Sequence, residues 1–345
     1  MRHSNGNPSK RRDQAVLYRE WRANRSLYGI ALLATLSPYL LTFMTNSLSQ
    51  PAYSRYVGNY IVGQFSVIAF VVAAGLGIAV MWHDRIGDHL ADVLEGPVSR
   101  RQFIWAKIRW SGLTLMVPGV IMALWVSVLC FAIGRPQAIG AVLLRDFWLT
   151  SGALAIAMTS LAMASAMGSL LFAAAGTAVW PLLPVLAGSV YLSMVYSSTR
   201  PGHGLSQRAM IRANQTWAMI QHFSPFAPTV PFQHGSIFGY GVEYVAMAAV
   251  FGYAAMTWWH RAESERMRDP MVFPFLWNLY YAALALLTGG MGAAIVMHFY
   301  YQSSVSPLPL YVFWSIFALG GWFFWRWAHL WIGRRTTLRW GPGVR

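Results

Sequence analysis

Several residue types are scarce in this chain, and each scarcity closes off a class of function. Cysteine occurs once, at Cys130 inside an apolar run. It can form no internal disulfide and has no neighbouring thiol with which to hold a metal, so packing is its expected role. Lysine occurs twice, at Lys10 and Lys107, and neither follows a glycine. A phosphate-binding loop needs Gly-Lys-Ser/Thr to cradle phosphates and magnesium, so no ATP site of that kind is expected here. The nearest approach to a dinucleotide fingerprint, Gly75-Leu76-Gly77, lies inside an apolar run without a strand-turn-helix context, and close helix packing is its expected use.

Charge is also sparse. Charged residues make up 11% of the 345 positions and hydrophobic ones 56%. A water-soluble chain of that composition would expose a large apolar surface, so this one reads as a membrane protein. The 17 tryptophans suit a protein that needs amphipathic anchors at the headgroup level. A net charge of +15 could point to nucleic acid, but the basic residues cluster between apolar runs and form no continuous polar face. No nucleic-acid partner is expected.

The basic leader of about 25 residues precedes the apolar run 27–48, which is long enough to cross a hydrocarbon core of about 30 Å and reads as an uncleaved anchor. Further runs of spanning length fall near 58–81, 109–134, 146–168, 172–197, 237–259, 275–299 and 309–331. The expected fold is therefore all-α, a polytopic helical membrane protein with about eight transmembrane helices. Positive residues are retained on the cytoplasmic side. With both termini placed there, 20 of the 26 Arg and Lys residues fall in the inner segments and six in the outer ones. The tight turn near Gly168, between the fourth and fifth runs, is the place where a miscounted span would invert part of that topology.

This topology makes the connection 82–109 a cytoplasmic loop. Its first half, "WHDRIGDHLADVLEG", sets Asp84, Asp88, Asp92 and Glu95 on one helical stripe and Ile86, Leu90, Val93 and Leu94 on another. Gly96 and Pro97 end that helix. Ser99 followed three residues later by Gln102 has the form of a capping box opening the next helix, and Arg100, Arg101, Lys107 and Arg109 are then expected to decorate the membrane boundary. One reading is a capped connector whose charges face water and lipid phosphates.

The run Asp84-Arg85-Ile86-Gly87, then Leu94-Glu95-Gly96-Pro97-Val98-Ser99-Arg100-Arg101, then Lys107, resembles the first cytoplasmic loop of type-2 permeases of ATP-binding-cassette exporters. "LYREWRANRS", Leu17 to Ser26, is similar to the amphipathic elbow before the first span in that family. The resemblance covers roughly residues 15–260, with a long outer segment 198–236 in which "HFSPFAPTVPF" sits where such permeases carry re-entrant or surface helices. The pair of spans in 261–345 departs from the usual six-span core.

That resemblance implies a permease subunit moved by a separate cytoplasmic ATPase. The coupling loop would comprise Asp84, Arg85, Asp88, Asp92, Gly96, Pro97, Ser99, Arg100, Arg101 and Lys107. The elbow would comprise Leu17, Arg19, Glu20, Trp21 and Arg22, with Leu17 and Trp21 inward and the arginines toward phosphates. It implies no cofactor in this chain, with ATP and magnesium in the partner subunit. It also implies a second permease subunit, forming a homodimer or heterodimer among membrane lipids, and a place in the cell inner membrane.

Beyond the loop, Glu243 lies inside the sixth run, and an intramembrane acid is by default a candidate for a substrate path, the alternative being a snorkelling or arginine-paired carboxylate. Arg145 and Asp146 at an outer helix end are expected to be interfacial. His83, Asp84, Asp88 and His89 include metal-binding residue types. The two histidines are six apart, however, and one helix cannot easily offer both to a single ion. A membrane enzyme acting on lipids would need catalytic groups converging on one face, and the outer loops offer His203, His222 and His234 with almost no acids. An ATP-independent secondary transporter would need midplane charges or broken helices, for which Glu243 and the pair Pro181 and Pro184 are the material.

Overall fold

The computed structural model describes residues 8–48, 54–86, 98–132, 134, 136, 139–197, 211–212, 214–216, 237–262, 277–300 and 308–338. Eight long helices account for nearly all of them. They are α1 (Pro8–Leu48), α2 (Ser54–Ile86), α3 (Arg100–Ala132), α4 (Ile139–Ala166), α5 (Leu170–Ser197), α6 (Ile237–Arg261), α7 (Trp277–Tyr300) and α8 (Leu308–Leu338). Each expected apolar run coincides with one of these helices. Such runs fold as helices because in hydrocarbon every backbone N–H and C=O must find its partner within the segment. Among the described residues three stretches are long and apolar enough to cross a membrane: Ile68–Arg85, Arg100–Trp125 and Asp146–Ala166. Leu170–Val179 and Pro181–Gly188 make a fourth if their 43° bend lies within one span. The protein is thus all-helical among the described residues, with the make-up of a helical membrane protein.

Pro181 and Pro184 lie inside α5 and each removes a backbone donor, which accounts for its bend. The break at Gly168 is real, α4 ending at Ala166 and α5 opening at Leu170. In α1 the disruption falls at Asn24, whose φ of −114° and ψ of 15° are non-helical, dividing a polar leading half from the apolar run.

The chain divides into two packing units. The first joins residues 1–166 with 231–264 and so contains α1, α2, α3, α4 and α6; the second joins 167–230 with 265–345 and contains α5, α7 and α8. α5 thus groups with the last two helices. In the first unit α4 is central and touches α2, α3 and α6. Its small residues Ala155, Ala157, Ser160 and Ala162 are buried. Gly77 shows how close the approach is, since a Cβ there would lie 2.5 Å from the Ala157 carbonyl oxygen and 2.7 Å from Ser160 Cβ. Gly75 faces open space, so only the second glycine of the pair serves packing.

Candidate functional site

The polar side chains of the first unit converge where α3 begins. Ser99 and Gln102 form the expected box: the Gln102 N–H donates to Ser99 Oγ at 3.2 Å, and the Ser99 N–H donates to Gln102 Oε1 at 3.2 Å. Both otherwise orphaned backbone donors are satisfied, which fixes the helix start. The Gln102 amide also donates to Asp13 Oδ1 at 2.8 Å, so the same residue ties the leading half of α1 to α3.

One turn further, Lys107 is fully buried. Its ammonium donates to Glu20 Oε1 and Oε2, each at 3.1 Å, to the Val80 carbonyl at 2.9 Å, and to Asp84 Oδ2. The Phe103 ring lies 4.5 Å from the ammonium. Glu20 Oε1 also accepts from Asn24 Nδ2 at 2.8 Å and from the Tyr28 hydroxyl at 2.9 Å. A buried ion is tolerated only when it is paired and hydrogen-bonded, and these partners meet that condition with residues from three helices.

These contacts correct two expectations. Lys107 does not decorate the membrane boundary but is the centre of a buried cluster, because two carboxylates and a helix carbonyl replace its water. In the elbow, the inward stripe is Val16, Glu20, Asn24, Tyr28, Ala31 and Thr35, one position off the stripe expected through Leu17 and Trp21. Leu17 is half-buried, and its carbonyl accepts the Trp110 indole N–H at 2.9 Å. Trp21 is 38% exposed and tilts onto Trp110 at 4.7 Å between centroids. Arg19 and Arg22 are exposed.

Two loop arginines act as internal staples. Arg85 donates to the Ser165 carbonyl at 3.4 Å, at the end of α4, and its guanidinium lies 5.7 Å from the Trp259 ring. Arg100 donates to the Ala262 carbonyl at the end of α6. Cations at helix C-termini complement the helix dipole, so both are committed within the unit. Arg101 is exposed. Asp88, Asp92, Gly96 and Pro97, with His89, Leu90 and Glu95, lie outside the described residues. So do His203, His222 and His234 and the segment "HFSPFAPTVPF". Glu243 is exposed on α6, and its neighbour Tyr244 is buried.

A cavity of about 290 Å³ lies against this junction, bounded by Glu20, Asp84, Val98 and Phe103 and by the exposed Arg19 and His83. Among the described residues no group of three His, Cys, Asp or Glu side chains could hold a metal ion. Near its start α3 is bonded to α1, α2 and α6. Comparison with protein-family models, curated proteins and solved structures finds no match for this chain.

The signal for the cluster was present in the sequence. Lys107 is one of two lysines and stands in an apolar setting, "FIWAKI". A buried ammonium demands acids, and Asp84 and Glu20 are the acids in the preceding helices that face it.

Proposed function

We propose that the chain is the membrane subunit of an ATP-driven exporter resembling type-2 permeases, with eight spans, both termini in the cytoplasm, and a separate ATPase docking on the α2–α3 connection. The observation that supports this is the junction itself. A connector that merely joined two spans would need no buried Lys107 shared between α1 and α2 and no Arg100 staple to α6. A loop that must pass a push into the bundle needs such rigid attachments. In this reading Arg101, Asp88 and Asp92 face the ATPase, while Glu20, Asp84, Arg85, Arg100 and Lys107 carry its movement inward. ATP and magnesium belong to the partner, and a second permease subunit completes the assembly. Glu243 faces the substrate path.

The test is purification from the native membrane in mild detergent, with mass spectrometry of co-purifying proteins. A stoichiometric soluble protein bearing a phosphate-binding loop is expected. A chain that comes alone, from a preparation that preserves known complexes, would overturn the reading. Arg101→Glu should release the partner while the fold survives, since Arg101 is exposed. A cysteine placed at residue 203 should react with an impermeant thiol reagent from outside intact cells, and reaction only after lysis would refute the topology.

A further inference from the structure

The cavity of about 290 Å³ beside the junction carries opposite charge at its two ends. Buried Glu20 and Asp84 line it from inside, and exposed Arg19 and His83 line it where it meets the surface. Inside, two carboxylates share one ammonium, which leaves one negative charge unbalanced. Glu20 is saturated, with Lys107, Asn24 and Tyr28 all donating to it. Asp84 is not. Its Oδ2 accepts from Lys107, its Oδ1 accepts from none of the described residues, and the side chain keeps 11% exposure on the cavity that it lines. Arg85, next in the chain, turns instead to the Ser165 carbonyl and the Trp259 ring.

These charges select a ligand. A bare phosphate entering the cavity would meet buried carboxylates, and a simple cation would have to pass a guanidinium. No group of three His, Cys, Asp or Glu side chains among the described residues could hold a metal ion. The complement is a zwitterion with its ammonium inward, on the open oxygen of Asp84, and its phosphate outward, on the N–H donors of Arg19 and His83. The ammonium is a primary one. A quaternary ammonium has no N–H to give Asp84 and favours an aromatic cage, whereas the one phenyl ring in this wall, Phe103, already faces Lys107 at 4.5 Å. Depth agrees with a lipid source. Asp84 is the penultimate residue of the apolar stretch Ile68–Arg85, and Phe103 is the fourth of Arg100–Trp125, so the cavity lies where two such stretches end and headgroups begin.

We propose that this cavity binds the headgroup of phosphatidylethanolamine, its ammonium donating to Asp84 Oδ1 and its phosphate accepting from Arg19 and His83. The inference rests on α2 and α3 ending at a membrane surface and not on the ATPase, so it stands or falls separately from the exporter reading. The full chain in detergent micelles is mixed with equal amounts of phosphatidylethanolamine and phosphatidylcholine bearing the same acyl chains, and the retained lipids are counted by native mass spectrometry. One phosphatidylethanolamine should be retained with a preference of about tenfold, the scale of a hydrogen bond to a charged group. Asp84→Asn should reduce that preference to about twofold or less by removing the charge. Arg19→Gln, at an exposed side chain, should weaken retention about fivefold while thermal unfolding is unchanged, which separates binding from folding. Equal retention of the two lipids would overturn the proposal, as would a preference that survives Asp84→Asn or retention indifferent to Arg19→Gln. Free phosphoethanolamine displacing the lipid at equal concentration would overturn the lipid as the source of the headgroup.

Discussion

In the first unit a lysine is fixed between two carboxylates and a helix carbonyl. In the second, two of the polar contacts among the described residues are tyrosine hydroxyls among rings: Tyr280 donates to the Phe172 carbonyl, and Tyr281 pairs with His329 Nδ1 beneath a stacked Trp277. Both units use glycine to bring helices together, Gly77 against Ala157 and Ser160 in one and Gly289 against Ala318 in the other. The difference lies in what happens when a partner is lost. A hydroxyl removed from a ring cluster leaves a carbonyl that its own helix still satisfies, whereas an ammonium removed from the first unit leaves two buried anions. The ionic junction therefore tolerates few arrangements, and the aromatic one tolerates many. Discreteness of that kind suits the unit that is proposed to receive a push.

The largest expected effect follows from this contrast. Lys107→Met should destabilise the first unit by about 3–5 kcal/mol, the usual result of breaking a buried ion cluster from one side, as read by denaturation in detergent micelles. Adding Glu20→Gln and Asp84→Asn should recover most of that loss, since neutral residues of similar volume no longer demand a cation. A single variant as stable as the parent would show that the cluster does not hold the unit. Next, Gly77→Ala should cost about 1–3 kcal/mol by overpacking against the Ala157 backbone. Gly75→Ala, in open space, should be neutral or stabilise by up to about 1 kcal/mol; equal effects at both positions would remove the packing argument. Ser99→Ala should cost about 1 kcal/mol through the lost cap and should also free the elbow, visible as faster amide exchange around Asp13. The smallest effect is expected in the second unit, where Tyr280→Phe should cost about 0.6 kcal/mol, typical of a hydrogen bond between membrane helices. A loss approaching that of Lys107→Met would erase the distinction between the units.

The helices were legible because each run is apolar over a spanning length, and the cap at Ser99 was legible because its two residues are three apart. The turn at Gly168 was legible for the same local reason. What the sequence hid were long-range choices. Leu17 and Trp21 look like the inward side of an amphipathic elbow because they are apolar, yet Glu20 wins that face because Lys107 waits there. Arg100 reads as a surface charge until the end of α6, 162 residues later, is seen to accept from it. Pattern reading assigns charges to solvent by default, and it fails where two distant charges neutralise each other. The grouping of α5 with α7 and α8 is hidden likewise, since packing partners among equally apolar helices are decided by shape.

Glu20 and Lys107 are 87 residues apart. At roughly 5–20 residues per second of synthesis, the carboxylate exists for roughly 4–17 s before its ammonium leaves the ribosome. During that interval it has no reason to leave water, and α1 cannot seat its leading half. The buried lysine thus sets an order of assembly. The elbow closes only after the third helix has arrived, and a nascent chain halted before residue 107 should leave a cysteine placed at position 16, on the same buried stripe, open to reagent.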